Sequence, residues 1–247
     1  MPPTEPASPR KRLPVADFKL EGFSADELVC DAFFDDIGFM ESDLVPLAEH
    51  HAADGHSYYV LDDSSAAWGF PGAPQIIALH LCRDREKQTF AYEMKTLPLP
   101  AMAQSWLIRR GCPRDAIGLN PELGTAPADE ATRALEQRLI GDGDHFAMGY
   151  SYTDNDTAEM LIVVALCALD ERALSPFRVV VRETDADAWT HTLREGGFDT
   201  ADEALQWCDD RIGQQAGPLP PVRPTAAAGI PTGVPKAPVP RPPGRSR

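Results

Sequence analysis

The chain has 247 residues and a formal net charge of −15, with 38 acidic residues against 23 lysines and arginines. This length is sufficient for one large domain or two small ones with a hydrophobic core. The charge is unevenly distributed, because residues 15–210 carry −23 while both ends of the chain are basic. So acidic a segment repels phosphate groups, which argues against nucleic-acid binding through it and against binding at an anionic membrane surface.

The apolar and cysteine patterns indicate a cytoplasmic protein. The longest apolar run, residues 160–169, is about half the length that a membrane-spanning helix needs, and we expect no signal peptide. The five cysteines lie far apart and include no C-x-x-C pair. Neither a disulfide framework nor a cysteine-rich zinc site is therefore predicted.

Both ends of the chain are rich in proline and basic residues. Such segments bury too little apolar surface to offset the entropy cost of ordering, and we predict that residues 1–14 and 214–247 are disordered. Between them we predict a helical segment at 15–57, a first unit of strands with a linking helix at 58–141, and a second unit with a final helix at 142–213.

The segment 15–57 contains two predicted helices. Ser24 and Glu27 form a capping box before an apolar face, which predicts a helix from about residue 25. Ser42 precedes a second apolar face and predicts another helix that ends before Gly55. Pro46 falls near the first turn of that helix, where proline is tolerated.

Two groups of strand patterns follow, each closed by helical patterns. The strands are predicted at residues 58–61, 75–82, 89–97, 146–152, 160–168 and 177–182. The helices are predicted at residues 102–107, 128–140, 186–195 and, behind the capping residue Thr200, at 201–212.

The two groups indicate an internal duplication. An offset of 85 residues superposes them and aligns Cys82 with Cys167. We therefore predict an α+β fold in which two related three-stranded units form an antiparallel sheet with helices on one face. The identities are few, so a chance alignment of two meanders stays open as the alternative.

The densest group of potential metal ligands is His50, Asp54 and His56. His50 and Asp54 are four residues apart and would share one face of the second predicted helix, with His56 returning from the turn behind it. Imidazole and carboxylate groups together suit zinc or iron. The alternative is a polar helix end, where histidines interact favourably with the helix dipole.

The tail contains one short recognition pattern. Pro218, Pro221 and Arg223 match P-x-x-P-x-R, in which the prolines fill aromatic grooves and the arginine meets an acidic pocket. Two alternatives stay open: a solvated tail that matches the pattern by chance, and a tail that pairs with the protein's own acidic segment.

No motif commits the chain to an enzymatic reaction, because nucleophile-elbow, P-loop and dinucleotide-binding patterns are all absent. We expect a non-catalytic interaction or regulatory protein whose acidic segment binds a protein partner, with a basic protein as the natural candidate. No cofactor is expected, and the oligomeric state is left open. The alternatives are a metal-assisted hydrolase that uses His50, Asp54 and His56, and a small-molecule binding module at the seam between the two units.

Overall fold

The computed structural model of the protein describes residues 13–66, 72–141, 143, 145–154 and 159–223. It confirms the α+β class, with two mostly antiparallel sheets and four α-helices in these residues. The helices are α1 (Glu27–Asp36), α2 (Pro100–Ile108), α3 (Glu130–Gly141) and α4 (Ala201–Ile212). The strands are β1 (Leu44–His51), β2 (His56–Asp63), β3 (Ile76–Asp84), β4 (Thr89–Leu97), β5 (Ala126–Pro127), β6 (Phe146–Asp154), β7 (Glu159–Ala168), β8 (Phe177–Asp185) and β9 (Thr190–Phe198).

The strands form two separate sheets. Strands β1 to β4 make an antiparallel meander. The second sheet has the order β5-β9-β8-β7-β6, in which β5 lies parallel to β9 and the other pairs are antiparallel. The prediction of related three-stranded units is not confirmed, since the described sheets have four and five strands.

Two segments predicted as helices are strands, and each adds a fourth strand to its meander. Residues 44–51 form the edge strand β1, where Pro46 lies at an irregularity in the pairing with β2; edge strands and bulges are where sheets tolerate proline. Residues 190–198 form β9, in which His191 and Leu193 are buried and alternate with more accessible residues. Pairing with a neighbouring strand outweighs the local helical pattern in both segments.

Helices cover both faces of the first sheet, so the prediction of helices on one face is not confirmed. On one face Val60 packs in a cluster with Leu107 of α2, and on the other Leu79 packs in a cluster with Phe33 of α1. The second sheet has α3 on one face and α4 on the other. Helices α2 and α3 contact each other and join the two halves. None of the described helices is long and apolar enough to cross a membrane.

The hairpins that join β3 to β4 and β8 to β9 have the same construction, 101 residues apart. Asp84 accepts hydrogen bonds from the backbone N–H groups two and three residues later, and Asp185 does the same. Gln88 and Trp189 then both adopt a positive φ, of 54° and 52°. The predicted offset of 85 is wrong, because it aligns α2 with a turn and the start of β9.

Residues 214–223, which we predicted to begin the disordered tail, lie against the second sheet. Leu219 packs on the cluster beneath α4, and the N–H of Gly197 donates a hydrogen bond to the carbonyl oxygen of Pro220 at 3.2 Å. The hydroxyl group of Ser175 donates to the carbonyl of Arg223 and accepts from its N–H, at 3.1 and 3.2 Å. The predicted disorder of residues 1–12 and 224–247 concerns segments outside the described residues.

We expect Gly197→Ala to release the docked segment. A Cβ atom at residue 197 would overlap the hydroxyl group of Ser175 and lie 3.0 Å from the Cα atom of Val222, and overpacking of this kind costs about 1–3 kcal/mol. Hydrogen exchange measured by mass spectrometry should show lost protection in residues 214–223. Gly118→Ala is the matched control, since a Cβ atom there meets no described atom within 4 Å. Equal protection of residues 214–223 in both variants would contradict the docking.

Asp62 near the end of β2 makes the stability of the fold depend on pH. Burial raises the pKa of its carboxyl group from 3.8 to about 6, although the guanidinium group of Arg182 acts in the opposite direction. Between these two pH values the folded chain binds a proton that the unfolded chain has lost. Stability therefore falls as the pH rises from about 4 to about 6.

Asp62→Asn should remove this pH dependence. The free energy of unfolding of the variant, relative to the wild type, is expected to rise by up to about 3 kcal/mol between pH 4 and pH 7, because one pKa unit corresponds to about 1.4 kcal/mol. Urea denaturation at a series of pH values measures the difference. A difference that stays constant over this range would show that Asp62 takes up no extra proton on folding.

Candidate metal centre

One corner of the first sheet carries a group of aromatic, histidine and cysteine side chains. His56 lies opposite Cys82, and Tyr58 lies opposite His80, in the antiparallel pairing of β2 with β3. The four side chains therefore project from the same face of the sheet. Further along the strands this face is apolar and packs against α2. The polar corner lies beyond the end of that helix, where the hydroxyl group of Tyr58 donates to the carbonyl oxygen of Arg110 at 3.2 Å.

Three potential ligand atoms converge at this corner. The distance from Nδ1 of His56 to Nε2 of His80 is 2.9 Å, and Sγ of Cys82 lies 3.3 and 3.4 Å from these two nitrogens. In a tetrahedral zinc site with bonds of about 2.0–2.1 Å to nitrogen and about 2.3 Å to sulfur, the corresponding separations are roughly 3.3 and 3.5 Å. The two sulfur–nitrogen separations lie close to this spacing, whereas the nitrogen–nitrogen separation of 2.9 Å is that of a hydrogen bond and would have to lengthen when an ion binds.

The turn between β1 and β2 positions His56. Gly55 has a φ of 96°, and a Cβ atom at this residue would overlap the carbonyl oxygen of Arg83 on β3. Glycine therefore allows β3 to approach the turn closely. The N–H of Arg83 donates to the carbonyl of Gly55 at 3.1 Å, and the N–H of His56 donates to the carboxylate of Asp54 at 3.3 Å. These contacts hold His56 at the beginning of β2, opposite Cys82.

Ring stacking fixes the orientation of His80. Its ring lies parallel to that of Tyr58, with centroids 4.6 Å apart and an interplanar angle of 2°. The ring of His56 stacks on His80 at 5.1 Å. Nδ1 of the buried His80 has no hydrogen-bond partner among the described residues, so the stack takes the place of the hydrogen bond that usually orients a metal-binding histidine.

The surroundings of the group affect the protonation of its members. Burial, and then the neighbouring His56, lower the pKa of His80, which favours the neutral imidazole that a metal ion needs. Burial raises the pKa of the Cys82 thiol, and the carboxylates of Glu93 and Asp54 raise it further. A metal ion would therefore displace a proton from Cys82. The carboxylates of Glu93 and Asp54 favour a cation at the group, whereas Arg83 and Arg110 oppose it, and Arg110 pairs with Glu93 at 2.8 Å.

The structure brings one of the three predicted ligands into this group. His56 supplies a potential ligand atom. His50 lies on β1 with its ring 6.1 Å from that of Tyr58, and Asp54 lies exposed in the turn. The predicted sharing of a helix face does not occur, because the segment is a hairpin between β1 and β2.

Sequence reasoning missed His80 and Cys82. Their spacing was a usable signal, because residues i and i+2 of a strand project to the same face and residues 75–82 were predicted to be a strand. What the sequence does not contain is the register of β2 against β3, which places His56 beside them. His80 and Cys82 lie 24 and 26 positions after His56 in the chain, so only the folded sheet brings the three residues together.

The second sheet has the same strand pairing without these ligands. At the offset of 101 residues, Val181 and Glu183 on β8 stand where β3 has His80 and Cys82. In the β7–β8 register Leu161 lies opposite Glu183, in the position that His56 occupies opposite Cys82. This architecture therefore forms without histidine or cysteine at these positions.

The tail residues predicted to bind a partner lie on the protein itself. Pro221 and Arg223 line a shallow cavity of about 300 Å³ together with Asp199 and Glu203, while Pro218 is exposed. The recognition pattern is thus part of a docked segment in which Pro218, Pro221 and Arg223 are exposed, and binding of a partner by these residues stays a prediction.

Comparison of the chain with protein-family models, with curated proteins and with solved structures finds no match.

Proposed function

We propose that this protein binds a transition-metal ion, with Zn²⁺ as the first candidate, through His56, His80 and Cys82. The observation that carries the proposal is the convergence of two imidazole nitrogens and one sulfur, with no pair of them more than 3.4 Å apart. The same three residues form the group of potential metal ligands found in the described part of the chain.

The donor atoms decide which metals fit. Imidazole and thiolate ligands suit zinc and copper, whereas magnesium and calcium prefer oxygen ligands. Two histidines and one cysteine also form the flatter copper sites of electron-transfer proteins. The sulfur–nitrogen distances of 3.3 and 3.4 Å are compatible with both geometries. Zinc is the first candidate because protein zinc sites commonly combine histidine and cysteine ligands.

A site with three protein ligands leaves one position of a tetrahedron for water or an incoming ligand, as catalytic zinc sites do. A bound zinc ion lowers the pKa of such a water molecule. This arrangement keeps the predicted metal-assisted hydrolase as a proposal, with His80 and Cys82 in place of His50 and Asp54. Glu93 and Asp54 are the carboxylates whose charges act on the group.

The relation between the two halves supports a functional interpretation. We propose that they are related by duplication at an offset of 101 residues, on the strength of the matching Asp84 and Asp185 turns. Under this alignment Cys82 corresponds to Glu183 rather than to Cys167. The first unit carries the ligand group and the second does not, so the group is a feature of the first unit and not of the fold that the two share. Binding of a basic protein partner by the acidic segment stays a prediction that rests on charge alone.

The metal proposal predicts that the purified full-length chain binds one equivalent of Zn²⁺. Replacement of a ligand in Cys82→Ser, His80→Val or His56→Leu should weaken binding by more than about 100-fold, because loss of an outer-shell partner alone costs 10- to 100-fold. Equilibrium dialysis with elemental analysis measures the stoichiometry. Co²⁺ loaded in place of zinc should show a thiolate-to-metal charge-transfer band that Cys82→Ser abolishes.

Matched controls use residues of the same types outside the group. Cys30→Ser and His50→Leu should bind Zn²⁺ as the wild type does. Val and Leu are the residues at the corresponding positions of the second sheet, so His80→Val and His56→Leu should keep the fold, which circular dichroism checks. A wild-type chain that takes up no stoichiometric zinc, copper or cobalt overturns the proposal, and so does equal binding by the ligand variants and the controls.

A further inference from the structure

The segment that follows α4 lies in a groove of the second half of the protein. The groove is formed by Ser175 in the loop before β8, by Gly196 and Gly197 of β9 and by Trp207 of α4, and we call it the tail groove. Residues 215–223 belong to neither a helix nor a strand. Their proline-rich sequence favours the polyproline II conformation, an extended left-handed helix with three residues per turn.

The tail groove binds the backbone of the segment at every third residue. The donors are Nε1 of Trp207, the N–H of Gly197 and the hydroxyl group of Ser175, and they bind the carbonyl oxygens of residues 217, 220 and 223 at 3.1, 3.2 and 3.1 Å. In a polyproline II helix, residues three apart lie along one edge. The three donors therefore match the repeat of that helix.

The side chains of the segment follow the same repeat. Leu219 and Val222 are half-buried, whereas Pro218 and Pro221 are exposed. Leu219 and Trp207 pack on one apolar cluster beneath α4. An aromatic-lined groove that takes up a polyproline II helix is a recurring mode of peptide recognition. The contact of the segment with α4 and β9 has this form.

Two glycines of β9 make room for the segment. A Cβ atom on Gly196 would lie 2.8 Å from the side chain of Leu219, and one on Gly197 would lie 3.0 Å from the Cα atom of Val222. Glycine inside a strand often marks a place where another backbone approaches closely. In the first sheet, β4 carries Lys95 at the position of Gly196 in the strand register. The fold therefore does not require glycine at this position, and the close approach of the segment accounts for it.

Two carboxylates lie beside the basic end of the segment. Asp199 and Glu203 line a cavity of about 300 Å³ together with Pro220 and Arg223. The same sign of charge prevails in the folded part of the chain, because residues 15–210 carry −23. Charge complementarity of this kind favours a basic peptide and increases its rate of association.

We propose that the tail groove is a binding site for a basic, proline-rich segment of another protein, and that residues 217–223 occupy it until that partner binds. The partner segment would form a polyproline II helix, with an apolar side chain in the position of Leu219 and a basic one in that of Arg223. It must displace the resident segment, which a tighter sequence or several linked copies of the sequence achieve. The proposal does not rest on the metal centre.

The test uses the full-length chain with its own segment released. Leu219→Asp places a carboxylate against the apolar cluster, so docking would bury an unpaired charge, and lost hydrogen-exchange protection in residues 214–223 verifies the release. A fluorescent peptide that copies residues 215–223 should bind this variant saturably at one site, as fluorescence anisotropy measures. The wild-type chain should bind the same peptide at least tenfold more weakly, because its own segment competes.

Two changes in the peptide define what the tail groove recognises. A peptide with Leu219→Asp should not bind the released chain. A peptide with Arg223→Glu should bind about threefold more weakly at low salt, the effect of exposed charges. If Leu219→Asp alters the circular dichroism of the full-length chain, Leu219→Ser gives a second released variant.

Changes in the tail groove, each combined with Leu219→Asp, assign the peptide to this place. Gly197→Ala should abolish binding, since its Cβ atom would lie 3.0 Å from the backbone of the peptide, whereas Gly118→Ala should leave the affinity unchanged. Trp207→Phe removes one hydrogen-bond donor and should weaken binding about fivefold. Trp189→Phe, in the exposed β8–β9 turn, is its matched control and should have no effect.

Four results contradict the proposal. Absence of saturable peptide binding to the released chain overturns it. Equal affinities of the Gly197→Ala and Gly118→Ala chains would place the peptide outside the tail groove. Equal binding of the two peptides that differ at Arg223 would remove the preference for a basic partner. Wild-type dimers that sedimentation detects and that Leu219→Asp dissociates would make a second copy the partner instead of another protein. Zinc binding by Leu219→Asp should equal that of the wild type, which separates this test from that of the metal centre.

Discussion

Burial of α2 on two faces is the constraint that relates the two halves of this protein. Ala103 and Leu107 pack against the first sheet, whereas Leu99 and Ala101 enter the cluster formed with α3. A helix with apolar residues on two faces must lie between two layers to bury both. The succession of first sheet, α2, α3 and second sheet follows from this requirement.

The same arrangement leaves the candidate metal centre uncovered by α2. Helix α2 packs on one part of its sheet and ends before the corner where His56, His80 and Cys82 meet. In the second half, α4 packs over Val163 and Val181 at the corresponding positions. Apolar side chains are thus sufficient to stabilise the fold at these positions. The histidines and the cysteine at the same positions of the first sheet therefore point to a chemical role.

Local patterns predicted much of the fold. All four described helices and six strands follow from local patterns. The predicted cap is present where Thr200 accepts a hydrogen bond from the N–H of Glu203, whereas α1 is capped by Asp26 instead of the predicted Ser24. Strands β1 and β9 were missed because their short apolar patterns fit a helix, and only pairing with β2 and β8 makes them strands. The metal centre also depends on strand pairing. The sequence singles out His56, but only the register of β2 against β3 places His80 and Cys82 beside it.

The docked segment after α4 has a consequence for any partner of the tail. Leu219 is tethered within a few residues of its own binding surface, so its local concentration there is at least of millimolar order. A domain that recognises Pro218, Pro221 and Arg223 therefore competes with an intramolecular ligand, and its apparent affinity falls by the fraction of chains in which the segment is undocked. Gly196 and Gly197 have no side chains and so admit Leu219 and Pro220 at close range. These two glycines influence the fraction of undocked chains as much as the prolines of the segment do.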